Sequence, residues 1–150
     1  MNDEFWMNLA LEQAQISLKY DEVPVGSVIV SQDNRLISSG HNLMINSNDP
    51  SLHAEIMAIR SACKINGNYR LINHTLYTTL EPCVMCFGVI VHARIKKIVF
   101  GAKDERSGVC GSCLDLTKKQ CFNHKPEIRQ GIMEAECSKI VKDFFKAKRS

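Results

Sequence analysis

Along residues 3–20, Phe5, Leu9, Ala10, Gln13, Ile16 and Tyr20 recur near a 3.6-residue period, which predicts an amphipathic helix facing a core. The pattern then changes. "VPVGSVIV" (23–30) and "RLISSG" (35–40) are apolar and β-branched, and the turn-forming "SQDN" between them makes a hairpin. "NDP" (48–50) offers an Asp N-cap with Pro at the first helical position, so a helix is expected from there to about Cys63. "TLYTTL" (75–80) reads as a strand, "EPCVMCFGVIVHA" as a helix opened by Pro82, and "KKIVFGA" (96–102) as a strand. A short strand at 127–132 precedes a closing helix over 134–149, with Ile140, Val141, Phe144 and Phe145 as its apolar stripe. Strands alternating with helices favour parallel crossovers, with helices covering both faces of the sheet. The expectation is an α/β protein, a three-layer α/β/α sandwich around a mixed five-stranded sheet.

Composition narrows the class. A chain of 150 residues, 45% hydrophobic and 23% charged, fits one globular domain spanning 1–150. No apolar run reaches membrane-spanning length, and the acidic start Met1-Asn2-Asp3-Glu4 is unlike a signal peptide, so a cytoplasmic protein is expected. Seven cysteines, an odd number, then point to reduced thiols and metal ligands rather than a disulfide framework. The net charge of +3 is unevenly spread: residues 1–93 carry −4 and residues 94–150 carry +7. A basic C-terminal part suits a phosphate-rich partner, although a solvated helix face has the same composition.

The candidate chemistry centres on "PCVMC" (82–86). A second C-x-x-C, "VCGSC" (Cys110, Cys113), would complete a four-cysteine structural zinc site, with 23 residues between Cys86 and Cys110. Zinc ribbons usually separate their pairs by roughly 15–20 residues. The alternative recruits "HAE" from upstream: His53, Cys83 and Cys86 supply three ligands, and a water takes the fourth position of a catalytic zinc. Both segments sit at helix starts, where the positive end of the helix favours thiolates. Glu55, two residues beyond His53, is then placed to move protons as general base and general acid. Residues at i and i+2 of a helix diverge, so this works only if the site lies at the helix mouth.

"HAE" together with "EPCVMC" matches the H-x-E…P-C-x-x-C signature of the zinc-dependent nucleobase deaminases. With "EVPVGSVIV", "GHN", "NDPSLHAEIMAIR", "VFGAKD" and "DFFKAKR", the chain from about residue 5 to 149 resembles the bacterial tRNA-specific adenosine deaminases, within the cytidine/deoxycytidylate deaminase superfamily. The resemblance implies a cytidine-deaminase-like fold and hydrolysis of adenosine to inosine at the wobble position of a tRNA anticodon. It implies one Zn2+ per subunit on His53, Cys83 and Cys86, with Glu55 as proton shuttle. It also implies substrate contacts from Asn42, Ala54 and Asp104, and a homodimer whose face "VMCFGVIVHARI" could supply. Separately, Phe144 and Arg149 of the closing helix suit stacking on RNA bases and contact with phosphate, although the phenylalanines also fit the core. An anticodon loop suits such a site, because its bases are already unpaired. His41, Leu43 and Met44 depart from the residues usual in those enzymes, as do Cys110 and Cys113, here read as reduced thiols filling small-residue positions. Three rivals share parts of the pattern. They are a deaminase of free bases or nucleotides, a non-catalytic RNA-binding subunit, and a structural zinc protein.

Overall fold

Five strands form one sheet in the order β2-β1-β3-β4-β5. They are β1 (Gly26–Val30), β2 (Leu36–His41), β3 (Thr75–Leu80), β4 (Lys97–Ala102) and β5 (Glu127–Gln130). Strand β1 runs antiparallel to both β2 and β3, whereas β3, β4 and β5 are mutually parallel, so the sheet is mixed. This computed structural model describes residues 1–149. The expected three-layer architecture is the one observed.

Side-chain alternation on the central strands divides the core in two. Ile29, Leu76, Ile98 and Phe100 point to the face covered by α3 (Ala54–Asn66) and α4 (Val84–His92). Val28, Val30, Tyr77 and Val99 point to the opposite face, under α1 (Asp3–Lys19) and α5 (Glu134–Arg149). Strands buried on both sides read as continuous apolar runs, which is why "VIV" and "KIVF" carry no alternating polarity. Asp3 at the start of α1 accepts hydrogen bonds from the Tyr77 hydroxyl (2.7 Å) and from Arg129, tying α1 to β3 and β5.

Two elements differ from the sequence reading. Helix α1 buries Trp6, Met7, Ala10, Ala14 and Ser17, while Phe5 and Tyr20 stay exposed, so its inward face is rotated from the one expected. Close packing on the sheet selects the small residues Ala10, Ala14 and Ser17 there, and a hydrophobicity count passes over them. Helix α3 starts at Ala54 rather than at residue 50. Asp49 caps a turn instead, accepting from the Ser51 amide (2.9 Å) and hydroxyl (2.7 Å). Between β2 and that turn lies an unanticipated short helix, α2 (Met44–Ser47). Its first amides are held by the buried Glu22 carboxylate, which accepts from Ile45 (3.2 Å) and Asn46 (2.7 Å).

Gly40 on β2 lets α3 approach. A Cβ there would lie 2.4 Å from the Ala54 carbonyl oxygen and 2.6 Å from the Ala58 nitrogen. The absent side chain therefore sets how deeply the start of α3 sits against the sheet edge.

Candidate zinc centre and substrate cleft

His53 and Cys83 are the N-cap residues of α3 and α4, both in extended backbone, and neither side chain caps its own helix. An N-cap normally turns its side chain back onto the first helical amides. Here the two side chains turn toward each other. His53 Nδ1 lies 3.5 Å from both Cys83 Sγ and Cys86 Sγ, and the three donor atoms fall within 4.8 Å of one another. The cap position also removes the i, i+2 difficulty, because His53 precedes the helix while Glu55 lies within its first turn.

The donor set fits zinc. One imidazole nitrogen and two thiols are ligands zinc prefers, and three protein donors leave a position open. Hydrogen bonding from the Cys86 thiol and from His53 outweighs desolvation and holds the Cys83 thiol well below its ordinary value, toward the thiolate that binds metal. Among the described residues no other group of three such side chains converges. Cys110 is packed in the core and Cys113 is exposed, so the second C-x-x-C is no part of this centre.

Glu55 is buried, and desolvation pushes its carboxyl up to about 7 against the opposing pull of His53. It lines a cavity of about 190 Å³ with His53, Ala54, Cys83, Asn42 and Asp104. Asn42, just past β2, donates from Nδ2 to the Val23 carbonyl (3.1 Å), while its buried Oδ1 has no partner. An unpaired buried acceptor on a cavity wall is set to receive a donor from a bound molecule. Asp104 sits in the loop after β4, with Oδ1 accepting from the Arg106 (3.1 Å) and Ser107 (3.2 Å) amides.

A second groove adjoins the cavity, sharing Val23, Leu80, Asp104 and Ser107 with it and extending to Lys142, Phe145 and Arg149 of α5. Phe145, rather than Phe144, is the phenylalanine on this groove. Phe144 is half-buried, edge-on to Phe145 at 5.4 Å, with Lys148 over its ring. Arg149 lines the groove as well. Sequence reasoning passed over Val23 and Glu81 as cavity residues, whereas Met44, singled out as a departure from the usual residues, does line the cavity. Only the position of Glu81 beside "PC" could have marked it.

The family match covers the part of the chain that carries His53, Glu55, Cys83 and Cys86. Residues 1–102 match the cytidine and deoxycytidylate deaminase zinc-binding region. The chain belongs to this deaminase family. Within the family, it is 45% identical to the tRNA-specific adenosine deaminase of Haemophilus influenzae, over 98% of this chain and 85% of that protein. A solved structure from studies of A-to-I editing by tRNA:A34 deaminases at the wobble position aligns with a TM-score of 0.88 and 39% identity, over 91% of this chain and 98% of its own. Guanine deaminase from Bacillus subtilis aligns with a TM-score of 0.67 and 33% identity, over 99% of this chain and 94% of its own. Deaminases of different substrates thus share this fold, and residues around the zinc centre must select among them.

Proposed function

We propose that the protein is a zinc-dependent hydrolase that converts adenosine to inosine at the wobble position of a tRNA anticodon. The observation that carries this reading is the near full-length similarity to tRNA adenosine deaminases, at 45% and 39% identity in the two cases above. The zinc centre alone would serve a guanine deaminase equally well. The basic groove beyond it, with Lys142, Phe145 and Arg149, favours a substrate that continues past the base as a phosphate chain.

His53, Cys83 and Cys86 would hold the metal, which supplies a Lewis acid that makes a water nucleophilic near neutral pH. Glu55 takes up a proton from the attacking water and returns it to the departing ammonia. A carboxyl poised near neutrality in a buried site suits both steps. Asn42 Oδ1 accepts a hydrogen bond from the bound nucleoside, and Ala54 lines the base pocket at the first turn of α3. Asp104 contacts the ribose. Helix α5 follows the RNA backbone through Arg149, with Phe145 and Phe144 giving an aromatic surface. Val84 is exposed on α4 and makes that helix the candidate face of a homodimer. A tRNA substrate implies action in the cytoplasm.

The test is incubation of purified protein with anticodon stem-loops carrying A or C at the wobble position, and separately with free guanine. Inosine from the A stem-loop alone is expected. Absence of inosine, or deamination of guanine instead, would overturn the reading.

A further inference from the structure

Glu81, between β3 and the zinc-binding turn, is 3% exposed and takes no part in the chemistry described above. A buried carboxylate is tolerated only where donors surround it. Among the described residues, every donor to this one comes from a single loop, the one that follows β4. Glu81 Oε1 accepts from the Asp104 amide (3.1 Å) and the Ser112 hydroxyl (2.5 Å). Glu81 Oε2 accepts from the amides of Cys110 (2.9 Å) and Ser112 (3.2 Å). Backbone bonds flank it on both sides: the Glu81 amide donates to Ala102 O (2.9 Å), and Pro82 O accepts from Val109 N (3.0 Å). Gly108 completes the seat. A Cβ there would fall 2.4 Å from Glu81 Cδ and 2.6 Å from the Asp104 carbonyl oxygen, so only glycine allows the loop to close this tightly.

We propose that Glu81 is a positioning residue for the substrate, fixing the loop that carries Asp104 and Ser107 against the helix start that carries Cys83. The zinc centre comes from the starts of α3 and α4, whereas the far wall of the cleft comes from the loop after β4. Nothing in the zinc ligands themselves sets the distance between these two parts. The carboxylate does, beside the Val109–Pro82 backbone bond, because it belongs to the same strand-to-helix turn as Cys83 and accepts from three loop amides and the Ser112 hydroxyl. Substrate held by Asp104 is then in register with Glu55 and the metal. The inference rests on the wobble-adenosine reading for its choice of substrate.

The experiment compares zinc-loaded wild type with Glu81→Gln and Ser112→Ala. Glutamine keeps the size of the side chain but turns an NH2 group toward donors. Glu81→Gln is expected to raise KM for the A-bearing stem-loop about tenfold or more, with kcat within about threefold of wild type. Zinc content should be unchanged, and the amides of Asp104, Cys110 and Ser112 should exchange hydrogen faster. Ser112→Ala removes a single donor hydroxyl and should shift KM the same way by about threefold, which decides the matter if Glu81→Gln does not accumulate. Combined with Asp104→Ala, either substitution should add little to the KM change. Unchanged amide exchange, an unchanged KM in the folded Ser112→Ala protein, or additive effects with Asp104→Ala would overturn the proposal. So would a loss of activity that tracks zinc content. The exchange measurement needs no substrate, so its failure is distinct from a failure of the wobble-adenosine reading.

Discussion

Glu55 combines two features a proton carrier needs: a buried carboxyl near neutrality, and a place on the wall of the cavity that holds the metal ligands. Glu55→Ala should leave zinc content and stem-loop binding intact and lower turnover by at least about a hundredfold, read as single-turnover inosine formation. Inosine at the wild-type rate would remove Glu55 from the mechanism. At this scale the sequence was informative because metal chemistry restricts residue types. Few arrangements other than zinc ligation explain one histidine and two cysteines at helix starts, and the structure brings their donor atoms together. Glu81 and Asn42 were less legible. Their roles depend on which hydrogen bonds are made and which are left unmade, and no spacing rule encodes that.

Among the elements, the strands and α5 were the most legible, since apolar β-branched runs and a long amphipathic stripe are strong signals. The start of α3 was not. "NDP" has the chemistry of a helix cap, but Asp49 spends it on a turn, and the cap passes to His53. Metal-site geometry overrode local propensity there, because the histidine has to stand outside the helix to meet both thiols. Helix α5 gives a sharper test of function. Most of its surface is exposed, and its buried anchor, Cys137, lies in its first turns. Removing residues 140–150 should therefore keep zinc bound and abolish inosine formation on the stem-loop. Undiminished activity of the truncated protein on RNA would show that the groove beside α5 is not used.

For the molecule as a whole, acid stability should reflect carboxylates whose hydrogen bonds join separate parts of the fold. Burial alone would raise the pKa of Glu22, but the bonds from Asn46 and Ile45 win, and the carboxyl sits below its ordinary value. A depressed folded pKa contributes stability above the unfolded value and loses it as pH falls through the folded one. Urea midpoints should therefore drop as pH is lowered from about 6 to about 3, and Glu22→Gln should flatten part of that decline. Identical pH profiles for the two proteins would show that the Glu22 clasp on α2 carries no such linkage.

The two N-caps that cap nothing have a thermodynamic consequence. No side chain of His53 or Cys83 turns back onto the first amides of α3 and α4, and an ion held by those two residues would fix the position of both helix starts. Zinc in this protein is thus a ligand of the native state, binding only where two segments thirty residues apart have already met. Its free concentration should set the folding equilibrium by mass action, about 2.7 kcal/mol at a hundredfold excess over its dissociation constant. A chelator should lower the melting temperature in proportion, and the first amides to lose protection should be those at the starts of α3 and α4. A cell short of zinc would then hold less of the folded enzyme, not merely an inactive form of it.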